Sequence, residues 1–112
     1  MDNRRAHRRH AVEVTAEIEI DGHLVSGTTR DVSTGGAKVV LDGDIEEGRA
    51  VAVALILTED GIEVADRDPF EIEATVMWAA PTDDGGAMAG LRFAELAADQ
   101  ATRLDRFLAG VS

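Results

Sequence analysis

Several residue types that often define function are missing from this chain of 112 residues. It contains no cysteine, which excludes disulfide bonds and metal sites built from thiolates. No apolar run approaches the length that crosses a membrane, and residues 2–10 are mostly charged or polar. We therefore expect no signal peptide, no transmembrane helix and a cytoplasmic location. At this length we also expect a single domain over residues 1–112.

Basic and aromatic residues are also scarce. Eleven Lys and Arg residues stand against 22 Asp and Glu residues, which gives a formal net charge of −11. The aromatic residues are three Phe and one Trp. Because DNA and anionic membranes attract proteins through a broad positive surface, we expect no nucleic-acid partner and no membrane insertion.

The few cationic residues are concentrated near the N-terminus. Arg4, Arg5, Arg8 and Arg9 fall within six positions. A guanidinium group binds phosphate oxygens with two parallel hydrogen bonds, and its flat face can stack on a base. In an acidic chain this cluster indicates a specific, nucleotide-sized ligand that carries phosphate, although a short arginine-rich segment can also be a solvated tail.

The middle of the chain has the pattern of a small antiparallel β-barrel. Apolar and polar residues alternate over residues 11–20, and Asp21-Gly22 is a strong signal for a two-residue hairpin turn. Residues 50–57 form a nearly continuous apolar run, which predicts a deeply buried strand. Short segments separated by Gly and Asp turns are typical of a barrel, here of about six strands within residues 11–93. The predicted strands are 11–20, 23–30, 36–41, 50–57, 70–80 and 87–93, with a weak edge at 62–68.

The last segment changes to a helical period. Apolar residues recur at spacings of three and four from Ala97 to Leu108, and Gly110 follows as a stop. We therefore predict a polar arm at residues 1–10, a barrel at 11–93, and a helical segment at 94–109 that packs on the barrel.

The first hairpin predicts that two distant motifs meet. With Asp21-Gly22 as the turn, Val12 lies opposite Asp31, which places Arg9 beside residues 33–34 at the open end of the hairpin. In the last hairpin, Trp78 shares a face with the apolar residues before it and lies close to Gly90.

The second motif, residues 31–36, offers suitable chemistry for a base. Asp31 is an acceptor for the N1–H and amine of guanine, and Ser33 offers a hydroxyl. Gly35 and Gly36 allow the backbone to approach a ligand closely. The alternative interpretation is an ordinary turn in which the Asp and Ser side chains bind nearby backbone amides.

These residues resemble the PilZ family, the bacterial receptors for cyclic di-GMP. The family pattern is Arg-x-x-x-Arg followed about twenty residues later by Asp/Asn-x-Ser-x-x-Gly, which matches Arg5 to Arg9 and Asp31 to Gly36. Further similarity lies around Trp78 and Gly90 and in the closing helix. The resemblance implies a barrel fold and a ligand site formed by Arg4, Arg5, Arg9, Asp31, Ser33, Gly35, Gly36, Trp78 and Gly90.

The resemblance also implies a function. The chain is expected to bind cyclic di-GMP and to relay the signal to an unidentified protein by ordering its arm. An arginine before the motif, here Arg4, goes with two intercalated ligand molecules per chain in this family. The alternative is a module without a ligand that docks on a motility, secretion or polysaccharide-synthesis component.

Catalysis has no support in the sequence. We find no nucleophile with an evident base and no phosphate-binding loop before a helix, so we do not expect an enzyme. The three histidines show no metal-ligand spacing, and we expect neither a metal nor a cofactor other than the signalling ligand.

Overall fold

The computed structural model describes residues 9–59, 62–63 and 69–110. Arg4 and Arg5, with most of the predicted arm and of the predicted edge at 62–68, lie outside the described residues. Within the described residues the elements are β1 (His10–Ala11), β2 (Thr15–Ile20), β3 (His23–Ser33), β4 (Gly36–Leu41), β5 (Ala50–Leu55), β6 (Thr58–Glu59), β7 (Ile62–Glu63), β8 (Phe70–Pro81), β9 (Ala87–Phe93) and α1 (Ala98–Ala109).

Six of the strands close into an antiparallel barrel. Their order is β3, β2, β5, β8, β9, β4, and β4 pairs back with β3 to complete the ring. The two-residue strand β1 pairs with β3 on the same edge as β2, beyond the end of β2, and β6 and β7 form a small separate sheet. The predicted fold class, a small barrel of about six strands with a C-terminal helix, is confirmed.

The core lies inside the barrel and continues under the helix. Leu104 and Leu108 are 0% and 4% exposed, and burial of each side chain contributes about 1.5–3 kcal/mol. Gln100 fixes the start of the helix: its Oε1 accepts from the N–H of Ala97 at 2.9 Å, and its Nε2 donates to the carbonyl oxygen of Glu71 at 2.7 Å. The helix is therefore tied to β8 as well as packed on the core.

The first hairpin has the predicted turn. Asp21 and Gly22 have φ angles of 51° and 85°, the left-handed values that a type I′ turn requires at both central residues. Ile20 pairs with His23 beside the turn, as the sequence predicts.

A buried threonine changes the register further along this hairpin. The Thr29 hydroxyl donates to the carbonyl oxygen of Val12 at 2.6 Å and accepts from the N–H of Val14 at 3.0 Å. These bonds replace part of the strand ladder, so the single predicted strand at 11–20 is interrupted between β1 and β2. As a result Ala11, not Val12, lies opposite Asp31.

Two strands differ from their predicted form. Strand β3 continues through the predicted break at residues 31–33, because Asp31 and Val32 pair with β1 on one side and β4 on the other. Strand β5 is buried on one face only, since Ala50 and Ala52 are exposed.

A bulge in β8 turns Trp78 outward. Val76 pairs with Leu91 while Trp78 pairs with Gly90, which leaves Met77 as an extra residue in β8. The shift moves Trp78 off the buried face, and its exposed fraction is 40%. The expectation that Trp78 shares the buried face of the preceding apolar residues is wrong, whereas its predicted position next to Gly90 is confirmed.

Candidate functional site

Five strands contribute one residue each to a single row across the outer surface. Ala11 pairs with Asp31, Asp31 with Lys38, Lys38 with Gly90, and Gly90 with Trp78. Directly paired residues of antiparallel strands present their side chains on the same face of the sheet. We call these five residues the motif row.

The motif row faces outward and lies between two irregularities. The neighbours of Lys38 along β4, Ala37 and Val39, are 2% and 0% exposed, so Lys38 points to the opposite, solvent side. One bulge precedes Asp31 in β3 and the other precedes Trp78 in β8. Bulges re-aim side chains and are frequent beside binding sites, which makes this part of the barrel the candidate site.

Arg9 and Asp31 join the two sequence motifs. The Arg9 guanidinium donates to Asp31 Oδ1 at 2.6 Å, across 22 residues of sequence. The side chains are 50% and 20% exposed, and such pairs contribute about 0–1 kcal/mol to stability. The position of the pair matters more than its energy. It places a guanidinium group, which can bind phosphate, next to a carboxylate, which can accept hydrogen bonds from a base, two residues before Ser33.

Ser33, Gly35 and Gly36 shape the turn after Asp31. Ser33 is 4% exposed, and its Oγ accepts from the N–H of Gly35 at 3.1 Å and donates to the carbonyl oxygen of Gly36 at 3.4 Å. A Cβ on Gly36 would overlap the carbonyl oxygen of Leu91 in β9. In this structure Ser33 therefore holds the turn that follows Asp31. Gly36 allows β4 and β9 to pair closely beside it.

Gly90 makes room for the indole of Trp78. A Cβ at Gly90 would overlap the indole around Nε1, so the ring leans over the glycine backbone. Met77, beside it, is 45% exposed. The row therefore ends in an exposed aromatic surface of the kind on which a base can stack.

Lys38 is the residue that the sequence analysis missed. It is the single lysine of the chain and lies in the middle of the row, between Asp31 and Gly90. The signal in the sequence was the apolar alternation of residues 37, 39 and 41, which points Lys38 outward. Its neighbours could not be inferred, because they depend on the registers of β4 with both β3 and β9.

The opposite side of the barrel is acidic and regular. Glu17, Ala54 and Glu71 form one cross-strand row and Glu19, Ala52 and Glu73 form the next. We call these six residues on β2, β5 and β8 the acidic face. They line an open groove of about 610 Å³.

Two kinds of site have no candidate in the described ranges. No helix among residues 9–59, 62–63 and 69–110 is long and apolar enough to cross a membrane. In the same ranges, no three His, Asp or Glu side chains are grouped so that they could hold a metal ion.

Comparison with known proteins gives a family and a fold. Residues 3–110 match the PilZ domain family. The PilZ domain of YcgR from Escherichia coli, solved with c-di-GMP, is similar in structure, with a TM-score of 0.76 and 14% identity over 97% of this chain and 92% of that one. No curated protein sequence gives a significant match.

Two further structures are similar. The Bacillus subtilis inhibitor of motility, MotI/DgrA, has a TM-score of 0.76 and 22% identity over 96% of this chain, which spans 50% of that protein's length. The PilZ domain of CeSA from a cellulose-synthesizing bacterium has a TM-score of 0.64 and 20% identity, over 92% of this chain and 96% of that one. At these identities the likeness establishes the fold.

Proposed function

The chain belongs to the PilZ domain family, and from that premise we propose that it is a cytoplasmic receptor for cyclic di-GMP. The observation that carries the proposal is the Arg9–Asp31 contact at 2.6 Å, because it brings the two family motifs together on one surface. The solved complex of the YcgR PilZ domain with c-di-GMP adds support from a protein of the same fold.

Each group of the site has a distinct task in this proposal. Arg5 and Arg9 bind the phosphates, for which guanidinium groups are the best-matched side chains. Asp31 accepts from the N1–H and amine of a guanine, and Trp78 stacks on or covers a base. Ser33, Gly35 and Gly36 hold the turn that presents Asp31, and Gly90 admits the indole.

The signal is relayed through the arm. Arg9 is bound to Asp31, and a ligand with both phosphate and guanine offers each of these side chains a new partner. We expect the exchange to fix the arginine-rich arm over the motif row and to present a changed surface to a partner protein. In this role the domain, residues 1–112, binds and signals without catalysing a reaction.

Arg4 determines how many ligands are bound. Each cyclic di-GMP carries two phosphate charges, so two stacked molecules bring four negative charges together. Arg4, Arg5 and Arg9 together supply three guanidinium groups close in sequence, and one of them can stack on an outer base. We therefore expect two ligands per chain, and about one in Arg4→Leu.

Titration calorimetry tests the proposal. Wild-type protein should bind cyclic di-GMP and not cyclic di-AMP or GTP, while Arg5→Ala and Arg9→Ala should each lose about tenfold or more in affinity, the cost of one charge-assisted hydrogen bond. Arg106→Ala is the matched control, because Arg106 is exposed on the last turn of the helix, remote from the row in sequence. A folded wild-type protein that binds no cyclic di-GMP would favour the alternative, an interaction module without a ligand.

A further inference from the structure

Lys38 is a cation in the middle of the motif row. It is partly buried, and among the described residues it makes no hydrogen bond or ion pair. On the outer face of β3 and β9, its direct and diagonal neighbours include one carboxylate, that of Asp31. Arg9 binds this carboxylate through Oδ1. The ammonium group of Lys38, beside the carboxylate, can therefore donate hydrogen bonds to a ligand.

The spacing of Lys38 and Asp31 suits one edge of one base. Directly opposed residues of antiparallel strands have Cβ atoms about 4.5–5.5 Å apart, so a carboxylate and an ammonium group on such a pair can contact neighbouring atoms of one ring. Guanine presents its amine and N1–H as donors and O6 as an adjacent acceptor. A lysine is a common partner of guanine O6 and N7 in nucleic-acid recognition.

Adenine presents the opposite pattern at these positions. Its exocyclic amine, a donor, replaces O6, and its N1 is an acceptor. A carboxylate would then face an acceptor and an ammonium group would face a donor, so both contacts would become repulsive. Opposed groups of this kind provide selectivity by penalising the wrong ligand as well as by stabilising the right one.

We propose that Lys38 donates to O6 of the guanine whose N1–H and amine are bound by Asp31, so that the Asp31–Lys38 pair selects guanine. The inference rests on the proposed function, since it assigns a second contact to the same ligand. It adds a specificity-determining residue on β4, a strand that otherwise contributes only Gly36 to the predicted site.

The test compares Lys38→Met with wild type in binding two ligands. Cyclic di-GMP should bind about tenfold or more weakly to Lys38→Met, because a charge-assisted hydrogen bond to O6 is lost. The second ligand is a cyclic dinucleotide in which fluorescent 2-aminopurine replaces guanine, which keeps the amine, lacks O6 and has an acceptor in place of N1–H. This ligand should bind more weakly than cyclic di-GMP, because Asp31 loses one donor, but with equal affinity to both proteins. Lys38→Arg retains donors for O6 and should stay within about threefold of wild type for cyclic di-GMP.

Two controls separate the possible outcomes. Arg106→Met removes an exposed cation of the helix and should change neither affinity. A tenfold loss for both ligands in Lys38→Met would mean that Lys38 binds phosphate, and unchanged affinity for both would mean that it binds neither group; each result overturns the inference while the proposed function stands. If wild-type protein itself does not bind cyclic di-GMP, the proposed function fails, and the inference fails with it.

Discussion

The motif row and the acidic face occupy opposite sides of one barrel and are built in different ways. The acidic face is centred on β5 and follows regular cross-strand pairing, with an alanine between two glutamates in each row. The motif row is centred on β4, on the far side of the ring, and is bordered by a bulge in β3 and another in β8. Regular pairing produces a uniform charged surface, whereas the bulges bring together a carboxylate, a cation and an indole.

The two sides also separate the charges of the chain. The protein carries a net charge of −11, yet Arg9 and Lys38 lie on or beside the motif row while four glutamates line the acidic face. A dianionic ligand is therefore attracted to one side and repelled from the other. The comparison predicts that substitutions on the motif side change folding and binding, and that those on the acidic face change little.

The largest effect is expected for Gly36→Ala. The added Cβ would overlap a backbone atom, the carbonyl oxygen of Leu91, so β4 and β9 must separate at the edge of the motif row. Overpacking of this kind costs about 1–3 kcal/mol, and we expect a loss at the upper end because backbone cannot rotate away. Urea unfolding measures it. Gly43→Ala is the matched control, since its Cβ would meet only Val25 Cγ1 at 3.4 Å, and an equal loss in both variants would contradict the prediction.

The next effect is expected for Ser33→Ala. Ser33 is buried, and removal of its hydroxyl leaves the N–H of Gly35 without this acceptor, which costs about 1–3 kcal/mol when the group is desolvated. We expect about 1 kcal/mol, because Gly35 is only partly buried. Ser26→Ala, at an exposed position of the same strand, should leave the free energy of unfolding unchanged within about 0.5 kcal/mol. A loss in Ser26→Ala as large as in Ser33→Ala would show that the turn is not the cause.

These two faces also show where the sequence was informative. The alternation of apolar and polar residues over residues 11–20 places Glu17 and Glu19 on the solvent side, where both are exposed, because a regular strand repeats every two residues. The same rule placed Trp78 on the wrong face, because the extra residue of a bulge moves every later residue of that strand to the opposite face of the sheet. The registers that put Lys38 beside Asp31 arise from contacts between strands distant in sequence, which a local pattern does not contain.

The meeting of the two sequence motifs was predicted more accurately than the register of the first hairpin. Arg9 was predicted to lie beside residues 33–34, and its neighbour His10 pairs with Val32, although the interruption at Thr29 shifts the predicted register by one residue. The contact of the Arg9 side chain with Asp31 was not predicted. The meeting of the two motifs was still predictable, since the Asp21-Gly22 turn fixes which ends of the hairpin are close. The fold and the neighbourhood of the site were therefore accessible from the sequence, and the individual contacts were not.

Exposed apolar residues provide a direct comparison of binding between the two sides. Trp78→Ala should weaken binding of cyclic di-GMP by about fivefold to tenfold, because stacking of a base on an aromatic ring contributes about 1–3 kcal/mol and part of the indole surface is already used over Gly90. Leu24→Ala, at a side chain that is 67% exposed beside the acidic face, should bind as wild type. Calorimetry on both variants gives the comparison, and equal affinities would remove Trp78 from the site.

The smallest effect is expected from reversing one charge on the acidic face. Glu73 lies in the first half of β8, at the end remote from Trp78. Glu73→Lys can therefore affect an anionic ligand at the motif row only through long-range electrostatics. The Debye length is about 10 Å at 0.1 M salt and about 30 Å at 0.01 M, so we expect no measurable change in affinity at 0.1 M and at most about a twofold gain at 0.01 M. Glu13→Lys reverses a charge close to the end of β1, where Glu13 faces Arg30 at 3.8 Å, and should give the larger gain at low salt. Titration calorimetry over this salt range measures both affinities. A gain for Glu73→Lys that equals that of Glu13→Lys and persists at 0.1 M would mean that the ligand contacts the acidic face, and the division of the barrel into a binding side and a repelling side would be wrong.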